Sequence, residues 1–245
     1  MKIAVAGATG RVGRHVVDIL DAKGHDAVPM SRAGGVNVVT GEGLPAALAG
    51  VECVIDVSST PSQDQQEATE FFTAAARNLH EAGVEAGVRR MVVVSIIGAE
   101  KFSTGYSAAK AVHERAVLEG PLPVRVLRAA QFHELVEQLV QWGTRGEVSY
   151  VPNMRTQIIA ARTVAEALVD LAIEPDDAVI SEIAGPRVES MVDLATSLVA
   201  RRGYAVRVEG VSDPAEPLFE NGGLLPGPDA VLAGPTFDEW LNTAP

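Results

Sequence analysis

A doubly wound parallel α/β sheet, with a small C-terminal region over its substrate side, is the fold class the sequence predicts. Three observations carry the prediction. The chain opens with a short apolar run, a loop of three glycines and an amphipathic stretch closed by Gly24. Apolar, β-branched runs then alternate with stretches of helical periodicity through the first half of its 245 residues. Hydrophobic residues make up 47% of the chain and aromatics only 4%, so the core must be Val, Ala, Leu and Ile, as in a parallel sheet covered by helices.

Taken in order, strands are expected at 2–6, 27–30, 36–39, 51–57, 90–97 and 124–127, with helices at 14–23, 45–48, 65–86 and 106–118 between them. The run Val92-Val-Val-Ser-Ile-Ile97 is nearly all β-branched, as a strand buried on both faces requires. Within 65–86, Phe71, Ala75, Leu79 and Ala82 fall close to one helical face. This alternation implies right-handed crossovers. Beyond about residue 130 the rhythm weakens. Helices are expected at 134–142, 163–173 and 191–202, strands at 179–183 and 205–208, a Gly- and Pro-rich loop over 210–235, and a last short helix at 237–241 docked by Trp240.

The glycine loop reads Gly7-Ala-Thr-Gly10-Arg-Val-Gly13. Strand, glycine turn and helix in succession are what a dinucleotide needs. The first glycine permits a tight turn and the second lets backbone approach a pyrophosphate. The third lets helix and strand pack closely, and the helix N-terminus offers N–H groups to the anion. The spacing is a variant of Gly-x-Gly-x-x-Gly: Gly10 and Gly13 keep its second half, and Ala8 stands where its first glycine usually sits. A Rossmann-like fold follows, with residues 1–150 as the dinucleotide-binding core and 151–245 as a substrate or lid region packed on it in one compact domain.

The second strand sets the cofactor. An acidic residue at its end would hold the ribose 2′-hydroxyl of NAD. This strand ends Pro29-Met30-Ser31-Arg32, and Asp26 lies at its start. Ser31 can donate a hydrogen bond and Arg32 can grip a 2′-phosphate in a bidentate way, with Arg11 and Arg14 nearby. The expected cofactor is NADP(H).

Tyr106-Ser-Ala-Ala-Lys110 places a tyrosine and a lysine on one helical face. A cation beside the phenol would lower its pKa, and a tyrosine tuned in this way exchanges a proton with a carbonyl during hydride transfer. Ser95, near the end of the strand just upstream, falls at the sheet edge where ligands of open α/β sheets bind. It can hydrogen-bond a substrate carbonyl.

Together these residues resemble the short-chain dehydrogenase/reductase superfamily in its atypical NmrA-like branch. The glycine loop is similar to the branch's motif. The run Ala86-Gly-Val-Arg-Arg-Met-Val-Val-Val-Ser95 resembles its fifth strand, and Gly105-Tyr-Ser-Ala-Ala-Lys110 its active-site helix. Leu127-Arg-Ala-Ala-Gln-Phe-His-Glu134 resembles the sixth strand and substrate-side turn. The similarity spans most of the chain and is loosest over 205–235. The resemblance implies a pyrophosphate loop of Gly7, Thr9, Gly10, Arg11, Val12 and Gly13, a 2′-phosphate site at Ser31 and Arg32, and a cofactor lining at Val57, Ser58 and Ser59. It implies Ser95, Tyr106 and Lys110 as catalytic residues. Relatives often carry Gly-Asp-Leu after the third strand; Thr40-Gly-Glu-Gly-Leu44 stands here, leaving Glu42 in place of the adenine-side Asp. Some NmrA-like proteins resemble redox sensors that bind NADP and catalyse nothing, and those typically lack the tyrosine.

The expected activity is an NADP(H)-dependent oxidoreductase acting on a small carbonyl, alcohol or quinone-like compound. The alternative is a non-catalytic NADP-binding sensor. A third reading, a nucleotide-sugar epimerase using NAD, is disfavoured by Arg32 and by a chain that looks short for a substrate lobe. Gln131, Phe132 and His133 fall at the substrate edge, where His133 either contacts substrate or packs against the following helix. Asp56 reads as a strand-end hydrogen-bonder.

A net charge of −12 argues against nucleic acid and acidic membranes as partners. The lone Cys53 lies in an apolar run and reads as an inert thiol, with no disulfide framework. Scattered histidines and one cysteine give no metal-ligand spacing. The N-terminal apolar run is too short for a signal peptide, and no run reaches a membrane span. A cytoplasmic monomer or homodimer is expected.

Overall fold

The computed structural model describes residues 1–174, 178–214 and 216–243. In chain order the elements are β1 (Lys2–Ala6), α1 (Gly13–Ala22), β2 (Asp26–Met30), α2 (Leu44–Ala47), β3 (Cys53–Asp56), α3 (Gln65–Ala86), β4 (Arg90–Ile96), α4 (Gly105–Leu118) and β5 (Val124–Ala129). There follow α5 (His133–Gly143), β6 (Thr144–Arg145), β7 (Val148–Pro152), β8 (Arg155–Thr156), α6 (Ala161–Ile173), β9 (Ile180–Ala184), β10 (Glu189–Ser190), α7 (Met191–Arg202), β11 (Arg207–Val211), β12 (Val231–Leu232) and α8 (Phe237–Thr243).

The main sheet has seven strands in the order β2-β1-β3-β4-β5-β9-β12. β1 pairs parallel with both β2 and β3, and β3 pairs parallel with β4. The chain therefore moves outward from β1 to β2 and then resumes on the other side of β1 with β3. The crevice at the carboxyl ends of β1 and β3 is the topological switch point where open α/β sheets take ligands. The fold is the Rossmann-like α/β sheet expected.

Contacts group the chain into two compact units that interleave along the sequence: Met1–Ser95, Phe102–Arg128 and Val164–Ser181 in one, and Ile96–Lys101, Ala129–Thr163 and Glu182–Pro245 in the other. In the first unit every residue of β3 is buried, and Ala4, Ala6, Val54, Met91 and Val93 share one core with Leu44, Ala76, Leu79 and Val117 from the helices. Asp64 starts α3 by accepting a hydrogen bond from the Glu67 amide at 2.9 Å, and the α3 residue Gln65 accepts from Gly105 N at 3.1 Å, tying the starts of α3 and α4 together. Cys53 lies wholly inside β3, where burial pushes its thiol up to about 12 against the opposing charge of Arg90. That is an unreactive thiol.

Two expectations fail. Residues 36–39 form no strand, and 38 and 39 lie in a turn. Their peptide groups are claimed elsewhere: Val36 N bonds Ser31 O, Val39 N bonds the Asn37 side chain, and Asn78 Nδ2 of α3 donates to the carbonyls of both Val38 (2.9 Å) and Val39 (2.7 Å). The later chain also holds more β structure than expected. In the second unit β7 pairs with β6 and, in parallel, with β11, while β8 pairs with β10. β11 and β12 both enter the segment read as loop over 210–235.

Candidate functional site

The glycine loop leaves β1 beside the end of β2. Gly7 N and Ala8 N both donate to Met30 O at 3.2 Å, so Ser31 and Arg32 sit immediately next to the loop. Gly7 has φ +79°, and a Cβ there would lie 2.8 Å from Val57 O and 2.9 Å from Ser58. Only glycine lets the turn reach against the chain leaving β3. A Cβ on Gly13 would lie 2.1 Å from Gly7 O, so α1 starts in van der Waals contact with the loop's own backbone. Gly10 is exposed, and its amide bonds Gly7 O at 2.9 Å. Thr9 is exposed, Arg11 half-buried and Val12 buried.

Ser31 caps the 3-10 turn Arg32–Gly34: its Oγ accepts from Gly34 N at 3.1 Å. Arg32 is exposed, and so is Glu42. Leaving β3, Val57 and Ser58 are buried and back Gly7, while Ser59 is exposed. Ser59 Oγ lies 2.8 Å from Tyr106 Oη at the start of α4. The segment 57–59 therefore touches the glycine loop on one side and the tyrosine on the other.

Tyr106 packs edge-on against Phe72, with ring centroids 5.7 Å apart. Burial raises the phenol pKa above its usual value, and the Ser59 hydroxyl offsets part of that. This reverses the expected direction. The expectation rested on Lys110 lying beside the phenol, but Lys110 Nζ points the other way, donating to Val94 O and to His113 Nδ1, both at 2.9 Å. It also sits 4.5 Å from the Phe72 ring centroid. Lys110 is buried, and burial lowers its pKa to about 8 against the opposing pull of Asp56 and Glu114. Ser95 Oγ is buried and finds no hydrogen-bond partner.

Sequence reasoning missed what holds Lys110. His113, one turn further along α4, stacks on Phe72 at 4.7 Å, and its Nε2 faces Asp56 Oδ2 at 3.5 Å. Burial, with the Lys110 charge beside it, lowers the His113 pKa to about 4. Burial opposes ionisation of Asp56, but His113 and the Ser58 amide, which donates to Oδ1 at 2.9 Å, outweigh it and keep the carboxyl below its ordinary value. Glu114 accepts from Arg128 Nε at 3.0 Å. The signal was present as Lys110 and His113 at i and i+3 with an Asp at a strand end.

The expected substrate-side residues lie in the second unit, Gln131 and Phe132 half-buried and His133 buried. Gln131 Oε1 accepts from Thr156 Oγ1 at 2.8 Å. Phe132 precedes α5 and bridges to Ile159. His133 is 1% exposed, its Nε2 is 3.3 Å from Ile158 O, and its ring lies between Phe237 and Trp240 at 5.5 and 5.4 Å. Burial lowers its pKa to about 4. Of the two readings of His133, the geometry is that of a packed core histidine.

A family model described as NAD(P)H-binding matches residues 7–175. The chain belongs to this NAD(P)H-binding family, as its glycine loop led us to expect. Among individual relatives, the photosystem II assembly factor Ycf39 of Synechocystis sp. is 25% identical over 194 residues, 69% of this chain and 59% of the relative. The chain thus spans about three fifths of that protein's length. Among solved structures, MoeE5 in complex with UDP-glucose and NAD is 19% identical with a TM-score of 0.74, covering 99% of this chain and 97% of that one. A short-chain dehydrogenase/reductase superfamily protein from Agrobacterium tumefaciens with bound NAD is 20% identical with a TM-score of 0.71, covering 100% and 96%. These likenesses are likenesses of fold.

The residues present fit a nicotinamide dinucleotide. The turn at Gly7 and Gly13 admits no side chain, and it lies at the switch point of the sheet. Among the described residues no helix is long and apolar enough to cross a membrane, and no cluster of His, Cys, Asp and Glu could hold a metal ion.

Proposed function

We propose that the chain is an NADP(H)-dependent oxidoreductase that transfers a hydride to or from a small carbonyl, alcohol or quinone-like compound. The observation that carries this reading is the Ser59–Tyr106 oxygen pair, 2.8 Å apart, on the same three-residue segment that backs the glycine loop. The loop of Gly7, Thr9, Gly10, Arg11, Val12 and Gly13 holds the pyrophosphate. Ser31 and Arg32 take the 2′-phosphate, and Val57, Ser58 and Ser59 line the cofactor.

The bound nicotinamide supplies the hydride. Tyr106 Oη holds the proton that a reduced carbonyl requires, and burial keeps the phenol in its protonated form at neutral pH. Ser59 orients the phenol, and Ser95 Oγ, still without a partner, is available to a substrate oxygen. Lys110 places a positive charge beneath the site. Residues 151–245 supply substrate specificity, and the protein works in the cytoplasm.

The test is NADPH oxidation across a panel of carbonyls, quinones and UDP-sugars, repeated with Tyr106→Phe. On an accepted substrate the variant should lose about 10²–10⁴-fold in kcat with NADPH affinity retained. Unchanged turnover would sink the assignment of Tyr106. A relative that is an assembly factor favours a second reading, a non-catalytic NADP-binding regulator. Tight NADPH binding with no turnover across the panel would establish it over the first.

A further inference from the structure

Beneath Tyr106 lies a chain of buried ionisable groups that hydride transfer does not by itself require. Asp56, Lys110 and His113 are 1%, 4% and 1% exposed. Isolated charges are not left in such a place without compensation. The ammonium of Lys110 has no capacity to accept, so it donates to His113 Nδ1 at 2.9 Å. A nitrogen that accepts carries no proton, which leaves the imidazole proton on Nε2. Nε2 is the nitrogen that faces Asp56 Oδ2 at 3.5 Å. Neither Nε2 nor Oδ2 has a hydrogen-bond partner elsewhere, so the two buried atoms are left to answer each other, and the polarity runs from Lys110 through His113 to Asp56.

We propose that Asp56 and His113 are positioning residues for Lys110, with a neutral imidazole relaying the Asp56 carboxylate to the ammonium and anchoring it against Val94 O. Its bearing on catalysis rests on the reading of Lys110 as a residue of the cofactor site; the relay itself does not. The groups facing it are Asp56 from β3, Lys110, His113 and Glu114 from α4, and Arg128 from β5, which pairs with Glu114. Phe72 from α3 closes the cluster and brings no charge. Glu114 is already engaged by Arg128, so Asp56 is the carboxylate left to answer Lys110 through the imidazole.

The lysines of the chain are Lys2, Lys23, Lys101 and Lys110, so 13Cε-lysine labelling of the whole protein gives a spectrum that can be assigned and titrated without any substrate. In the wild type the Lys110 signal should titrate near 8. Asp56→Asn removes the carboxylate and should move that midpoint down by about one unit, a tenfold weaker hold on the proton. His113→Phe removes the acceptor and should do the same. His113→Asn, whose side-chain oxygen can stand near the Nδ1 position, should restore most of the shift. A merely structural role would lower the melting temperature and leave the midpoint in place.

An unmoved Lys110 midpoint in folded Asp56→Asn and His113→Phe overturns the relay. So do wild-type 15N shifts that put the His113 proton on Nδ1, a measurement that needs no variant to fold. Saturating NADPH added to the wild type tests the other premise. A Lys110 signal indifferent to it removes Lys110 from the cofactor site, while the variants still decide the relay.

Discussion

Gly10 and Gly13 are three residues apart in one loop but differ in the space around them, and alanine at each should separate loop packing from the proposed binding of the cofactor. A Cβ at position 13 would sit 2.1 Å from Gly7 O and 2.8 Å from Ala8 Cα. Both neighbours are backbone, and both belong to residues whose amides are fixed on Met30 O. Reaching even a tight 3.0 Å contact needs a displacement of about 0.9 Å between α1 and the loop, the difference between 3.0 and 2.1 Å. Overpacking of this kind costs about 1–3 kcal/mol, which for a chain of this size is roughly 3–10 °C in melting temperature. The displaced loop should also weaken NADPH by about tenfold or more. At position 10 the nearest atom to an added Cβ is Gly7 O at 3.1 Å, so Gly10→Ala should melt within about 2 °C of the wild type. At the proposed pyrophosphate site an added methyl group at position 10 should still lower NADPH affinity about tenfold. Thermal denaturation and NADPH fluorescence titration read both quantities. The reasoning fails if Gly13→Ala melts like the wild type, or if Gly10→Ala binds NADPH with undiminished affinity.

Other outcomes are as definite. Arg32→Ala should weaken NADPH by about tenfold, the worth of a charge-assisted hydrogen bond, and leave NADH unchanged; a wild type that binds NADH as tightly as NADPH refutes the preference. Folding stability should fall with acid. The folded-state pKa values of His113 and His133 are depressed to about 4, and that of His80 is also lowered by burial. Their contribution is complete above the unfolded value of about 6.5 and is lost as pH falls toward 4, at up to about 1.4 kcal/mol per unit for each ring. Urea unfolding should show a fold weaker by a few kcal/mol at pH 5 than at pH 7.5, and equal stability at the two would contradict the burial of these rings.

What the sequence showed and what it hid divide on locality. The glycine loop, the buried strand β4 and the helices α3 and α4 are encoded by neighbours within one turn or one strand, and periodicity reads them. The segment 36–39 has three valines and looks like a strand, but its fate is set by Asn78, whose amide captures two carbonyls from about 40 residues away in sequence. β7 was invisible for the opposite reason. Its inward face carries Ser149, fully buried because its hydroxyl donates to Val140 O at 2.9 Å, so the alternation of apolar and polar residues fails where the strand is most enclosed. At the site, the spacing of Tyr106 and Lys110 correctly places both on α4. It says nothing of Phe72, whose ring packs against Tyr106, Lys110 and His113 alike.

Those two fates of Tyr106 and Lys110 meet again at one place, the exit of β3. Asp56 is buried toward His113, Val57 and Ser58 press on Gly7, and Ser59 reaches Tyr106. Four consecutive residues thus brace the support of Lys110, the glycine loop and Tyr106. This follows from β3 lying beside β1 at the switch point, with α4 packed against α3 on one side of it. Because side chains leaving a strand alternate in direction, shifting this segment by one residue would turn the carboxylate away from His113 and lose the Ser59 contact together. The loop, the tyrosine and the lysine are therefore coupled through backbone rather than through contacts with each other, so damage at residues 56–59 should reach all three, whereas damage at Lys110 need not reach the glycine loop.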